Sequence, residues 1–520
     1  MRFDLTKDKR YTLSKAAVEL LEEVDKTVTI TVFLEGEFPS EFKRLQIETQ
    51  QLLEEFRAIN RNISFRFEDP TEDAEALANS GLTPSQLSVQ ENGKVSEHLI
   101  FPWAVVEVGN KFEKVSLLKD SNADSQEAQL ENAIQNLEYA FADAIHKVTN
   151  EKQQRIAVLK SNGTLDDIFL YDFLNTIKNY YHLAPFTLDS VKNNAKKTLL
   201  DLQQFDLVLV AKPTERFTEK EKYVLDQYYM NGGNTLWLLD NVAAELDSLK
   251  TTGETLAFNR DLNLTDLFFN YGIRINPNIV DDMYSATIPL ATGNIGNQTQ
   301  YSPFLWPYYP LLQSQNNHVI NKHIEPVRGK FMSSIDTLKS SSLKTILLQS
   351  SPLSKTIGVP SMIELSRAAE QPKPESYNTG NLPVAVLVEE QVKSAYADRV
   401  LPFENENHLN NGANGKIVII SDGDLIANEI QRGQPISLAT DKYTGQFYGN
   451  KDFLLNTINY LLDDSGLIQV RNKTVDLKVL NRELAYSKRN YYQFLNLLAP
   501  LITLTIFGFI FNMLRRNRYK

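Results

Sequence analysis

TEKEKYVLDQYYMNGGNTLWLLD, residues 218–240, contains a helix, its stop and a buried strand in one run. Thr218 and Glu221 have the spacing of a capping box, in which hydroxyl and carboxylate satisfy the free N–H groups of a first helical turn. The helix is expected to run to about Met230. Gly232 and Gly233 then supply a left-handed stop. The strand Asn234–Asp240 follows, and its centre, Leu236–Leu239, is apolar without alternation. Such a run is buried on both faces, as in a parallel sheet with helices above and below.

The same signal recurs on either side. Ile156–Leu159 and Leu207–Val210 precede it, with helical segments such as Asp166–Tyr181 between them. Thr345–Leu348, Val384–Val388 and Ile417–Ile420 follow as further buried-strand candidates. A helix at Lys451–Leu462 turns Phe453, Leu454, Ile458 and Leu461 inward. These elements predict an α/β fold, an open doubly wound sheet over residues 151–470. Residues 264–271 read as helix and 273–280 as strand. The stretches 366–382 and 404–415 are polar and read as exposed loops. Residues 281–330 show no regular pattern. Within them YSPFLWPYYP, residues 301–310, sets Tyr301, Phe304, Trp306, Tyr308 and Tyr309 among three prolines. It reads either as a recognition loop for a partner or glycan, or as a loop packed on its own domain.

Residues 1–150 have a different rhythm. Leu13, Ala16, Ala17, Leu20, Leu21 and Val24 follow helical spacing. A strand at Val28–Leu34, a helix at Ser40–Asn60, a strand at Ile63–Phe67 and a short helix near Thr71–Asn79 come next. Three short strands at Gln86–Gln90, Trp103–Val108 and Phe112–Leu117 and an amphipathic helix at 125–149 complete the region. The order resembles a thioredoxin-like domain. The chain has no cysteine, so redox thiols, disulfides and thiolate metal sites are excluded. A net charge of −11 disfavours nucleic-acid binding.

At the other end, FLNLLAPLITLTIFGFIFNML, residues 494–514, carries no charge over 21 residues. As a helix it spans roughly 31 Å, the thickness of a bilayer's hydrocarbon core. Asn496, Thr503, Thr505 and Asn512 can bond within the helix or to a neighbouring helix, and Pro500 and Gly508 are tolerated in that setting. Residues 471–493 form a polar, basic, then helical juxtamembrane linker. Arg515, Arg516, Arg518 and Lys520 make 515–520 a basic tail. Against Lys488 and Arg489 on the other flank, this bias predicts a cytoplasmic C-terminus.

Candidate chemistry sits at strand ends. Ser421-Asp-Gly-Asp424 follows strand 417–420, where doubly wound folds place ligands. Asp422 and Asp424 have the hard oxygen donors a divalent cation takes; a simple turn is the other reading. Asp240 also ends a strand and reads otherwise as a helix cap. The six histidines, at 98, 146, 182, 318, 323 and 408, follow no H-E-x-x-H pattern. No G-x-S-x-G, G-x-x-x-x-G-K-[ST] or G-x-G-x-x-G motif occurs, so the expectation is a protein without catalytic residues or cofactor. A membrane-anchored hydrolase or glycan-binding enzyme using the strand-end acids is the alternative.

Four stretches carry a family resemblance: DLTKDKRYTLS at 4–14, TEKEKYVLDQYYMNGGNTLWLLD at 218–240, GKIVIISDGDLIAN at 415–428 and NLLAPLITLTIFGFIFNMLRRNR at 496–518. In order and spacing they resemble the gliding-motility-associated ABC-transporter auxiliary (substrate-binding) proteins of the Bacteroidetes, the GldG family. The resemblance implies an α/β domain similar to class I glutamine amidotransferases and flavodoxin-like sheets. It implies a subunit of the bacterial cytoplasmic membrane with its bulk in the periplasm. The implied partners are an ABC permease (GldF-like) and an ATPase (GldA-like), and no catalytic residues carry over. A further membrane helix is implied before the exported region, and Met1 stands where that region begins.

Overall fold

The computed structural model describes residues 12–518 apart from 37–39, 72, 92–93, 119–121, 123–125, 297, 315, 413–414, 463–465 and 473–487. Its first strands belong to a four-stranded sheet. In chain order the elements are α1 (Lys15–Glu22), β1 (Val28–Val32), α2 (Ser40–Ile59), β2 (Ile63–Phe67), α3 (Ala74–Asn79), β3 (Ser85–Glu91), β4 (Lys94–Ile100), β5 (Trp103–Val108), β6 (Lys111–Ser116) and α4 (Gln126–Thr149). The sheet order is β2-β1-β5-β6, with β1 and β2 parallel and the other pairs antiparallel. α2 buries Phe42, Leu45, Leu53 and Phe56, and α4 buries Leu130, Leu137, Phe141 and Ile145. β3 and β4 form a separate antiparallel pair. β4 goes beyond the sequence expectation, because Ser96, Glu97 and His98 interrupt any apolar alternation.

A second, larger sheet follows. Its first half contains β7 (Arg155–Leu159), α5 (Asp167–Ile177), β8 (His182–Phe186), α6 (Val191–Leu202), β9 (Leu207–Ala211), α7 (Glu219–Met230) and β10 (Asn234–Leu238). After a long excursion come β11 (Asn278–Asp282), β12 (Ser285–Ile295), β13 (Gln298–Leu312), β14 (Leu343–Gln349), β15 (Ser354–Gly358), β16 (Pro383–Glu389), β17 (Ile417–Ile420) and α8 (Asn450–Leu462). The sheet runs β14-β16-β17-β10-β9-β7-β8. β8, β7, β9, β10 and β17 are parallel; counted by appearance their order is 2-1-3-4-5. β16 and β14 extend the sheet antiparallel to their neighbours.

The strands are apolar on both sides because helices cover both. Leu207 and Leu209 of β9 pack with Leu170 and Phe173 of α5 and Phe453 and Ile458 of α8. Val208 and Val210 pack on the opposite face with Leu199 of α6 and Tyr223 and Val224 of α7. This is the doubly wound arrangement of mixed α/β proteins.

The capping box at α7 is present. The Thr218 N–H donates to Glu221 Oε2 at 2.8 Å, and the Glu221 N–H donates to Thr218 Oγ1 at 3.3 Å. Thr218→Ala is expected to lose about 1 kcal/mol of stability in urea unfolding; no loss would mean that the carboxylate alone suffices. At the stop, Gly232 has φ of 95°. Gly233 is required for another reason: a Cβ there would lie 2.2 Å from the Tyr228 ring.

The region 281–330, expected to be irregular, contains a long hairpin instead. β12 and β13 pair antiparallel from Ser285↔Pro310 to Ile295↔Gln298. Its prolines obscure the strand pattern, since proline cannot donate to a ladder. They fit here because, among the described residues, the outer part of the hairpin pairs only as a two-stranded ribbon, and Pro289 pairs across from Pro303. Near its base, Leu311 and Leu312 pair with Arg328 and Val327.

All of these elements belong to one compact unit, Met1–Lys473; Thr474–Lys520 is a second unit. The second unit contains α9 (Arg489–Arg518). Gln493–Arg515 within it is long and apolar enough to cross a membrane, with a mean hydropathy of 2.1. Most of the linker and Lys520 lie outside the described residues.

Candidate functional site

The carboxyl ends of β9, β10 and β17 bring together side chains far apart in sequence. Lys212 leaves β9 with a φ of 50°, and its N–H donates to Leu238 O at 2.9 Å. Its Nζ lies 2.7 Å from Asp424 Oδ1, 3.0 Å from Glu245 Oε1 and 3.4 Å from Asp240 Oδ2. Asp240 follows β10, and Asp424 follows β17. Lys212 is 7% exposed and Asp240 8%, so this ion cluster is shielded from solvent on two of its members.

The Ser421–Asp424 turn is shaped around that lysine. A Cβ on Gly423 would meet Lys212 Cγ at 2.5 Å and Cα at 3.0 Å, so only glycine allows the approach. Asp240 Oδ1 accepts from the Gly423 N–H at 2.5 Å. Asp422 is fully buried and accepts from two backbone N–H groups, Asp424 on Oδ1 and Lys330 on Oδ2, each at 2.7 Å.

Electrostatics divides the carboxylates. Burial raises Asp240, and the Asp424 charge adds to it, so its pKa reaches about 6 despite Lys212. Asp422 is pushed well above the carboxylate range by burial and by the charges of Asp424 and Asp240. Burial alone would lower the Lys212 pKa; Asp240, Asp424 and Glu245 more than offset this and hold it raised. Lys212 is therefore an ammonium at neutral pH. It serves as a cation, and has no free lone pair to act as a nucleophile or base.

The sequence pairs Asp422 with Asp424 as metal donors. Among the described residues, the carboxylates close enough to share an ion near here are Asp240, Glu245 and Asp424, with oxygens within 4.8 Å of one another. Lys212 Nζ stands within 3.4 Å of all three. The donor set fits a hard divalent cation in type, and the ammonium competes for the same oxygens. Asp422 faces backbone donors. Sequence reading missed Lys212 and Glu245. A lysine directly after a buried strand, in a fold whose neighbouring strands end in aspartate, was the available signal.

The aromatics of 301–310 divide along β13. Trp306, Tyr308 and Tyr309 are buried and pack with Phe331; the Trp306 and Tyr308 centroids are 5.1 Å apart, and those of Tyr309 and Phe331 5.5 Å. Phe304 is half-buried. Tyr301, 64% exposed, is open to a partner.

In α9 the Thr503 and Thr505 hydroxyls donate to the carbonyls of Ala499 and Leu501, each at 2.7 Å. Their donors are thus engaged within the helix, while the Asn496 and Asn512 amides are exposed. Pro500 lies inside the helix, as does Gly508. Arg515 and Arg518 fall in its last turns.

Residues 153–457 match the ABC transporter auxiliary family, described as an ABC-type uncharacterized transport system. Residues 7–107 match a family described as a domain of unknown function. A protein of Borreliella burgdorferi, described as uncharacterized, is 20% identical over 473 residues, covering 88% of this chain and 84% of its own. Two solved structures show low likeness. The mmIFT52 N-terminal domain is 13% identical with a TM-score of 0.33, covering 59% of this chain and 97% of its own. A protein described as ThuA-like from Parabacteroides merdae is 11% identical with a TM-score of 0.30, covering 64% and 94%.

Proposed function

Because the chain belongs to the ABC transporter auxiliary family, we propose that it is a membrane-anchored, non-enzymatic subunit of an ABC transporter complex. The observation that carries this reading is the family match over 153–457, which spans the whole large sheet. The long apolar helix at Gln493–Arg515 supports anchoring. On the finer reading the chain is a GldG-like protein of gliding Bacteroidetes, and its partners are a GldF-like permease and a GldA-like ATPase. The basic residues after the span favour a cytoplasmic C-terminus, which puts the two sheets in the periplasm. The 2-1-3-4-5 parallel order supports a flavodoxin-like reading of 151–470. The β2-β1-β5-β6 sheet with α2 and α4 supports a thioredoxin-like reading of 1–150.

The test is affinity purification of the full chain from native membranes in mild detergent, with mass spectrometry. Recovery of a polytopic permease and a P-loop ATPase is expected. Asn496→Leu with Asn512→Leu should lower that recovery more than Thr503→Leu with Thr505→Leu, since the threonine donors are already engaged. Recovery of the chain alone from a preparation that keeps other transporters intact would count against the subunit reading.

A further inference from the structure

The hairpin of β12 and β13 has two unlike faces. On one, Ile288, Leu290 and Trp306 pack in the same cluster as Phe331. Side chains alternate across a strand, and directly opposed residues share a face. The pairs Thr287↔Leu305, Pro289↔Pro303 and Ala291↔Tyr301 therefore make up the other face. Tyr301 is 64% exposed and Leu305 57%. Ala291 and Pro303 are exposed as well, and Thr287 and Pro289 are half-buried. The solvent face of an antiparallel ribbon is ordinarily polar. This one is aliphatic apart from a tyrosine and a threonine.

Charge is missing from the same place. Residues 283–321 hold no Asp, Glu, Lys or Arg, in a chain where 23% of residues are charged. Loss of charge together with an exposed aromatic is the compositional mark of the centre of a protein interface. The edges of the ribbon are poor docking sites. Pro289, Pro303 and Pro307 have no N–H to donate, which blunts an edge against the addition of a further strand. The face is what the hairpin offers to a partner.

We propose that two copies of the chain meet here, hairpin face on hairpin face about a two-fold axis. The argument for a second copy is electrostatic. Each chain carries a net charge of −11, so two copies repel one another over most approaches. The hairpin contributes no charge to that repulsion. A two-fold contact places the same patch on both sides, so the patch must suit itself. An uncharged apolar face does so, whereas a face of one charge sign does not. With the axis near the Pro289–Pro303 pair, Tyr301 of each copy lies toward Leu305 of the other. The dimer stands apart from the transporter reading, since it concerns the copy number of this chain alone.

The native chain has no cysteine, so single cysteines can be placed cleanly. Tyr301→Cys and Leu305→Cys full-length chains, treated in native membranes with a short bismaleimide, are expected to run at twice the 59.2 kDa of one chain. Val400→Cys, at a position 95% exposed outside the hairpin, is expected to stay at single mass. Light scattering of the native chain in mild detergent should give two copies per particle. Tyr301→Lys combined with Leu305→Lys brings four ammonium groups together at the contact, and should raise the dissociation constant of the dimer roughly 100-fold or more. Both positions are exposed, so the pair of changes leaves the fold in place; the cysteine chains decide independently of it. Three results would each overturn the dimer: cross-linking at Val400→Cys to the same extent, a dimer unmoved by the two lysines, which would place the contact elsewhere, or cross-linking of the hairpin cysteines to a different polypeptide.

Discussion

Lys212→Met is expected to destabilise the larger unit by about 3–5 kcal/mol, the range for removing one member of a buried ion cluster. The change leaves Asp240 and Asp424 facing each other without their shared ammonium. Glu245 can turn outward, since its side chain is 45% exposed, so it adds little to the loss. The sign of the pH dependence follows from Asp240. Its folded pKa, about 6, lies above the ordinary 3.8, so folding takes up a proton between those values. Through this group, stability falls as pH rises from about 4 to about 6. Without Lys212 the folded pKa rises further. The deficit of the variant should therefore be largest at neutral pH and shrink on acidification. Urea unfolding at several pH values measures both quantities. A Mg²⁺- or Ca²⁺-dependent recovery in the variant alone would show the three carboxylates accepting an ion in place of the ammonium; a neutral variant would show that the cluster contributes nothing.

Trp306→Ala should lose about 3–5 kcal/mol, the range for deleting a large buried aromatic. Trp306, on hairpin strand β13, is fully buried and packs in one cluster with Tyr308, Tyr309 and Ile288. Tyr301→Ala, at an exposed site on the same strand, should stay within about 0.5 kcal/mol of the native chain. Denaturant melts of the two variants side by side test the division. If Trp306→Ala kept its stability and instead lost partners in pull-down, the aromatic run would be a recognition surface after all.

What the sequence revealed depended on how completely each element is buried. β9 and β17 are buried at every position, so their composition alone marks them. The α7 cap was legible because its geometry is local, with both partners three residues apart. β8 was not, because it is the half-exposed edge strand of the sheet and contains Pro185. β12 and β13 were hidden by prolines that are harmless only on a two-stranded ribbon. In the strand-end site, the acids at 240, 422 and 424 could be read from position. Lys212, which pairs with Asp240 and Asp424, had a positional signal of its own after β9, but its pairing was not legible, because it sits 212 positions from Asp424 and only the strand order makes them neighbours.

β10 and β17 lie side by side at the middle of the sheet, yet Asn234, the first residue of β10, and Lys416, just before β17, are 182 positions apart; the Lys416 N–H donates to Asn234 Oδ1 at 2.9 Å. During synthesis the first four parallel strands emerge long before the fifth. Until residue 417 leaves the ribosome, β10 presents an open, apolar edge. Closing so long a loop late is slow, and makes the half-made sheet prone to aggregation. This chain should therefore depend strongly on a holding chaperone while it is being made, and a fragment ended before β17 should aggregate rather than fold.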